Sequence, residues 1–124
     1  MKFLDSNVIA FAFYENKHTE KCQSALKEGG IINIFNLIES FFIIEKETMN
    51  RELAQKSIRG LLKSNLQIIY VDANLLFEAL KRINNLKLSI FDSVHYSCAI
   101  INNCSSIVSY DKDFDNLDIP REEP

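Results

Sequence analysis

The sequence predicts an α/β fold, a three-layer α/β/α sandwich around a mainly parallel central sheet. Three observations carry that expectation. Short, mostly apolar runs alternate with helix-patterned segments along the 124 residues, and strands separated by helices imply βαβ crossovers and parallel pairing. Each run is followed by polar residues suited to starting a helix. The chain is 47% apolar with only three Gly and two Pro, which excludes a linker or disordered tail and leaves material for a core. At this length folding buries roughly 65% of the surface of the unfolded chain, so residues 1–124 are read as one domain.

Taken in order, the strand candidates are Lys2 to Leu4, Ile31 to Phe35, Gln67 to Val71 and Ser106 to Ser109. Between them, His18 to Glu28, Leu37 to Glu47, Arg51 to Lys63, Ala73 to Asn84 and Ile90 to Ile101 have helical spacing or strong helix formers. The closing segment, NLDIPREEP, ends in charge and proline and is expected to fray. No repeat, low-complexity tract or Pro/Gly linker interrupts the alternation.

The richest apolar stretch, IINIFNLIESFFII, is broken by Asn33, Asn36 and Glu39, short of the ~20 apolar residues that span a bilayer. The N-terminus, with Asp5 and Asn7 inside its apolar run and no small-residue cleavage site after it, does not read as a secretory signal. A cytoplasmic protein with no membrane association is expected. Cys22, Cys98 and Cys104 are odd in number and lack metal-knuckle spacing, so they read as reduced and buried. His18 and Cys22, four residues apart, make an isolated pair and a weak zinc signal.

Net charge is −3, against a chain that grips nucleic acid over its whole surface, and the charge is unevenly spread. Residues 1–90 carry 12 Lys+Arg against 10 Asp+Glu, whereas residues 91–124 carry 2 against 7. Lys46, Arg51, Lys56, Arg59 and Lys63 lie on an expected helical hairpin, as a solvated face or a polyanion-facing one.

The acids fall at particular places. Asp5 ends the first strand in KFLDSN, Glu39 sits about three residues into the helix after the second in NIFNLIES, Asp92 opens the helix of SIFDSVHYSCA, and Asp111 ends the last strand in IVSYDKDF. Each alone serves as a cap: Asn36 to Glu39 and Ser89 to Asp92 have capping-box spacing, and Asp5 and Asp111 are good N-caps. Together they say more. The carboxyl ends of parallel strands share one edge, and the crevice outside it is where such folds bind ligands. Carboxylates converging there repel, so the cluster must protonate, spread into water or hold a cation. An all-oxygen set suits Mg²⁺ or Mn²⁺ rather than zinc. Such ions serve phosphodiester hydrolysis without a nucleophilic side chain, and no persuasive Ser/His/Asp or Cys/His triad is present.

FLDSNVIA, NLIES, FDSVHYSCAI and IVSYDKDF, in that order across essentially the whole chain, resemble the four motifs of the PIN-domain family, and the length is similar to that of its single-domain VapC-like toxins. The resemblance implies a Mg²⁺- or Mn²⁺-dependent endoribonuclease with an RNA substrate, commonly a toxin neutralised by a cognate antitoxin and commonly a homodimer. It places the metal-binding, catalytic acids on Asp5, Glu39, Asp92 and Asp111. Ser109 matches a hydroxyl position before the last acid, and Asn7 a polar position near the site. Asp113 is expected to join the metal-binding set by assisting through water, ahead of Asp115. The sequence departs from the family at His95 and Tyr96, where small residues are usual; three and four residues after Asp92, both lie near its face of the helix. The run Phe41 to Ile44 and the basic hairpin after it are candidate dimer or antitoxin surfaces. A rival reading is a non-catalytic PIN-like module for RNA or protein, whose acids cap helices. A haloacid-dehalogenase-like phosphatase would need a second Asp where Asn7 stands.

Overall fold

The computed structural model describes residues 1–124. The chain runs β1 (Phe3–Leu4), α1 (Ser6–Phe11), α2 (Thr19–Glu28), β2 (Ile31–Asn33), α3 (Ile34–Thr48), α4 (Arg51–Leu62), β3 (Gln67–Ile69), α5 (Ala73–Leu86), α6 (Ile90–Ile101), β4 (Ile107–Val108), a 3-10 turn (Lys112–Phe114) and β5 (Arg121–Glu122). All five strands are parallel, in the order β3-β2-β1-β4-β5.

Consecutive strand residues point to opposite faces, and the chain uses this economically. Phe3, Ile31 and Ile107 pack under α5 and α6 with Val94, Tyr96 and Phe114. Their neighbours Leu4, Ile32 and Val108 pack on the other face with residues of α1 to α4, including Val8, Cys22, Leu37 and Leu61. Helices on both faces make the three layers, and explain why the pairs Phe3–Leu4, Ile31–Ile32 and Ile107–Val108 are apolar towards both faces. Phe3 is fully buried; Phe3→Ala would cost about 3–5 kcal/mol. At Gly30, φ is +147° and an added Cβ would lie 2.7 Å from the carbonyl oxygen of Lys2. Only glycine lets β2 approach β1 this closely here.

The expected strands and helices are found, with corrections at the boundaries. Ile34 and Phe35, expected in the second strand, start α3. Asn33 caps that helix, and the reciprocal box joins Asn33 and Asn36 rather than Asn36 and Glu39. A β-branched and an aromatic residue favour strand locally, but the cap overrides them. Glu39 therefore lies in the second turn. The six-residue α1 has no counterpart in the sequence reading; Asp5 caps it. The terminal segment does not fray: Arg121 and Glu122 pair with Ile107 and Val108. Ile107 and Ser109 each donate an amide to it, at 2.9 Å from the oxygens of Pro120 and Glu122.

Cys22, Cys98 and Cys104 are free and buried. Beside Cys22, the His18 ring stacks between Phe11 and Tyr110, and no further metal-ligating side chain gathers there. Lys46 on α3, Arg51, Lys56 and Arg59 on α4, and Lys63 just after it are all exposed. In the Phe41–Ile44 run, Ile44 is buried in a small cluster with Ala10 and Ala54, whereas Phe42 is 64% exposed. No helix is long and apolar enough to cross a membrane.

Candidate active site

Strand order reverses between β1 and β4, because the chain builds outward from β1 through β2 to β3 and then returns to add β4 and β5. The crevice beyond the carboxyl ends of those two strands is the binding position of an open parallel sheet. Asp5 leaves the end of β1 and Ser109 and Asp111 leave the end of β4. The Ser109 hydroxyl donates to Asp5 Oδ2 at 2.7 Å across the switch point, and Ser109 Oγ in turn accepts the backbone N–H of Asp111 at 2.9 Å. Ser109, itself buried, thus links the two acids. Asp5 Oδ1 accepts from the Ser6 N–H at 2.8 Å, so both of its oxygens are held.

On the β4 side the carboxylates crowd together. Ligand oxygens of Asp92, Asp111 and Asp113 lie within 4.8 Å of one another. Asp92 is the third residue of α6, where the Ser89 hydroxyl caps its N–H at 3.2 Å. Asp111 caps the 3-10 turn by accepting from the Asp113 N–H at 2.9 Å. Burial, then the charges of Asp5 and Asp111, push the Asp92 pKa up to about 6. Burial likewise raises Asp5, against the hydrogen bonds from Ser109 and Ser6. No Lys or Arg pairs with Asp5, Asp92, Asp111 or Asp113. The uncompensated oxygens fit a hard divalent cation such as Mg²⁺ or Mn²⁺.

The other wall is built differently. The Ser6 hydroxyl donates to Glu39 Oε1 at 2.6 Å and accepts from Asn36 Nδ2 at 2.9 Å. The ring nitrogen His95 Nε2 also reaches Glu39 Oε1, at 2.5 Å, while His95 Nδ1 lies 3.0 Å from Asn33 Nδ2. Ser6, Asn33, Asn36 and His95 are all buried. Burial alone would raise the Glu39 pKa, but the His95 interaction and the Ser6 hydroxyl outweigh it and hold the carboxyl below its ordinary value.

The structure thus gathers Asp92, Asp111 and Asp113 most tightly, ties Asp5 to them through Ser109, and seats Glu39 on the neighbouring network. Asp113 joins that group by direct proximity, where the sequence suggested a water-mediated role. Asn7 is half-buried on α1 and forms no hydrogen bond to these acids. Asp115 is turned away and held by Arg121 Nε at 2.6 Å, and Arg121 Nη1 donates to the Ser109 carbonyl at 2.8 Å. Tyr96 does not face the crevice: it is buried, and its hydroxyl accepts from the Asp118 N–H at 3.1 Å. The sequence reading gave Ser6, Asn33 and Asn36 no part in the site. The one available signal was their position, next to Asp5 and just before Glu39.

The family model for the PIN domain matches residues 2–120. The chain belongs to the PIN-domain family. Among solved structures, this PIN domain is similar to the sarcin-ricin-loop-cleaving toxin VapC20 of Mycobacterium tuberculosis, with TM-score 0.83 and 15% identity over 100% of both chains. It is also similar to a chain of a toxin-antitoxin complex from Klebsiella pneumoniae, with TM-score 0.72 and 13% identity over 95% of this chain and 93% of that one. At such identities the likeness is one of fold. No curated protein matches the sequence.

Proposed function

We propose that this PIN domain is a divalent-metal-dependent endoribonuclease and the toxin of a toxin–antitoxin pair. The carrying observation is the convergence of Asp92, Asp111 and Asp113 within 4.8 Å at the switch-point crevice with no basic side chain to neutralise them. Family membership and the likeness to a chain from a toxin–antitoxin complex support the same reading.

In this reading Asp5, Glu39, Asp92, Asp111 and Asp113 together hold Mg²⁺ or Mn²⁺, with Asp92, Asp111 and Asp113 as the tightest group. The cation supplies Lewis acidity, which makes a water a better nucleophile near neutral pH and offsets charge on the leaving oxygen. Ser109 orients Asp5 and spaces it from Asp111, and Ser6 with His95 fixes Glu39. With the acids neutralised, an RNA phosphate can approach a surface that otherwise repels it. A homodimer and a cognate antitoxin are part of the proposal.

The test is cleavage of a mixed structured and single-stranded RNA pool while Mn²⁺ is titrated into wild type and Asp92→Asn. The expected outcome is cation-dependent cleavage that falls at least about 100-fold in the folded variant. Intact RNA with a folded, Mn²⁺-binding wild type would favour the non-catalytic module.

A further inference from the structure

His95 is fully buried and is not one of the acids on which the proposed chemistry rests. Its two ring nitrogens nevertheless both have polar partners, and the identity of those partners fixes where the proton sits. The Asn33 side chain cannot turn over, because its Oδ1 accepts the Asn36 N–H at 2.9 Å as the cap of α3. The group facing His95 Nδ1 at 3.0 Å is therefore the Asn33 amide Nδ2, which only donates. Nδ1 must accept, so the ring proton is on Nε2, and Nε2–H donates to Glu39 Oε1 at 2.5 Å. That same oxygen also takes the Ser6 hydroxyl proton. Two donors on Oε1 leave Oε2 as the oxygen of Glu39 without a protein hydrogen-bond donor.

We propose that Asn33 and His95 form a positioning pair: Asn33 locks the imidazole tautomer, and His95 clamps one oxygen of Glu39 so that the other is presented to the crevice. The cap of α3 and the orientation of Glu39 are thereby one device, since the amide that caps the helix through its oxygen sets the ring through its nitrogen. An outer group that orients a ligating carboxylate is worth about 10- to 100-fold in metal affinity. The proposal rests on the metal-dependent reading above.

Two measurements test it. The ¹⁵N spectrum of the His95 ring in the unaltered, metal-free protein should have the pattern of the Nε2–H tautomer; an Nδ1–H pattern would overturn the lock. Mn²⁺ affinity, followed by electron paramagnetic resonance, should fall about tenfold or more in His95→Leu. It should be largely restored in His95→Gln, whose amide nitrogen can reach Glu39. In cleavage assays the Leu variant should lose kcat with little change in KM. Both variants are first checked for native circular dichroism, and the tautomer measurement stands even if neither folds. Equal Mn²⁺ affinity in wild type and folded His95→Leu would overturn the positioning role alone. A wild type that binds no Mn²⁺ would instead overturn the metal reading beneath it.

Discussion

The two walls of the crevice solve the burial of acid in opposite ways. Around Glu39, every buried polar atom of Ser6, Asn33, Asn36 and His95 described above has a partner, and the carboxyl is held below its ordinary pKa. Around Asp92, three carboxylates crowd together without a basic partner, and Asp92 is pushed up to about 6. A satisfied network makes a rigid mould, whereas an unsatisfied one stores electrostatic cost that a ligand can relieve. The contrast separates two tasks: one wall fixes the pose of its acid, and the other stores a cost that a cation relieves.

The largest effect should come from opening the satisfied wall. Ser6→Ala leaves the Asn36 amide without its acceptor and removes one donor from Glu39, so urea unfolding should register a loss of about 1–3 kcal/mol. A loss near zero would mean that water or a rotated Asn36 repairs the gap, and the walls would differ less than described.

A smaller effect concerns pH at the strained wall. A carboxyl must be deprotonated to ligate. Asp92 ionises at about pH 6 in the metal-free protein, so Mn²⁺ affinity should be flat above that value and fall by up to about tenfold per pH unit below it. Calorimetric titrations between pH 5 and 8 would check this. An affinity that stays flat to pH 5 would remove Asp92 from the ligand set.

How legible was this in the chain? The strand-end acids Asp5 and Asp111 were readable because a strand termination, a cap and a carboxylate coincide in a few residues. Asp92 was readable because Ser89 signals the start of its helix. Glu39 was placed one turn too close to the helix start, because Ile34 and Phe35 look like strand until Asn33 is known to cap. The mould itself was not legible. Ser6, Asn33, Asn36 and His95 meet only after β1, β2 and α6 are placed side by side, and no local spacing encodes that meeting. His95 stood out as unusual without disclosing that its ring faces Glu39. The edge strand was hidden for another reason: Arg121 and Glu122 have little strand propensity, and their pairing with β4 is supported by Arg121 reaching Asp115 and the Ser109 carbonyl.

The most direct test of the account is the thermal stability of wild type and Asp92→Asn, each with and without Mn²⁺, from pH 4 to 8. A raised carboxyl pKa means that ionisation costs stability as pH climbs from the ordinary value near 3.8 through about 6. Without metal, Asp92→Asn should therefore be the more stable protein above pH 6, by about 1 kcal/mol once solvent screening of a half-buried group is allowed for. That advantage should vanish towards pH 4. Mn²⁺ should raise the midpoint of wild type and leave the variant nearly unchanged. Were Asp92 only a helix cap, the variant would be less stable at every pH and indifferent to Mn²⁺, and that result would contradict the account.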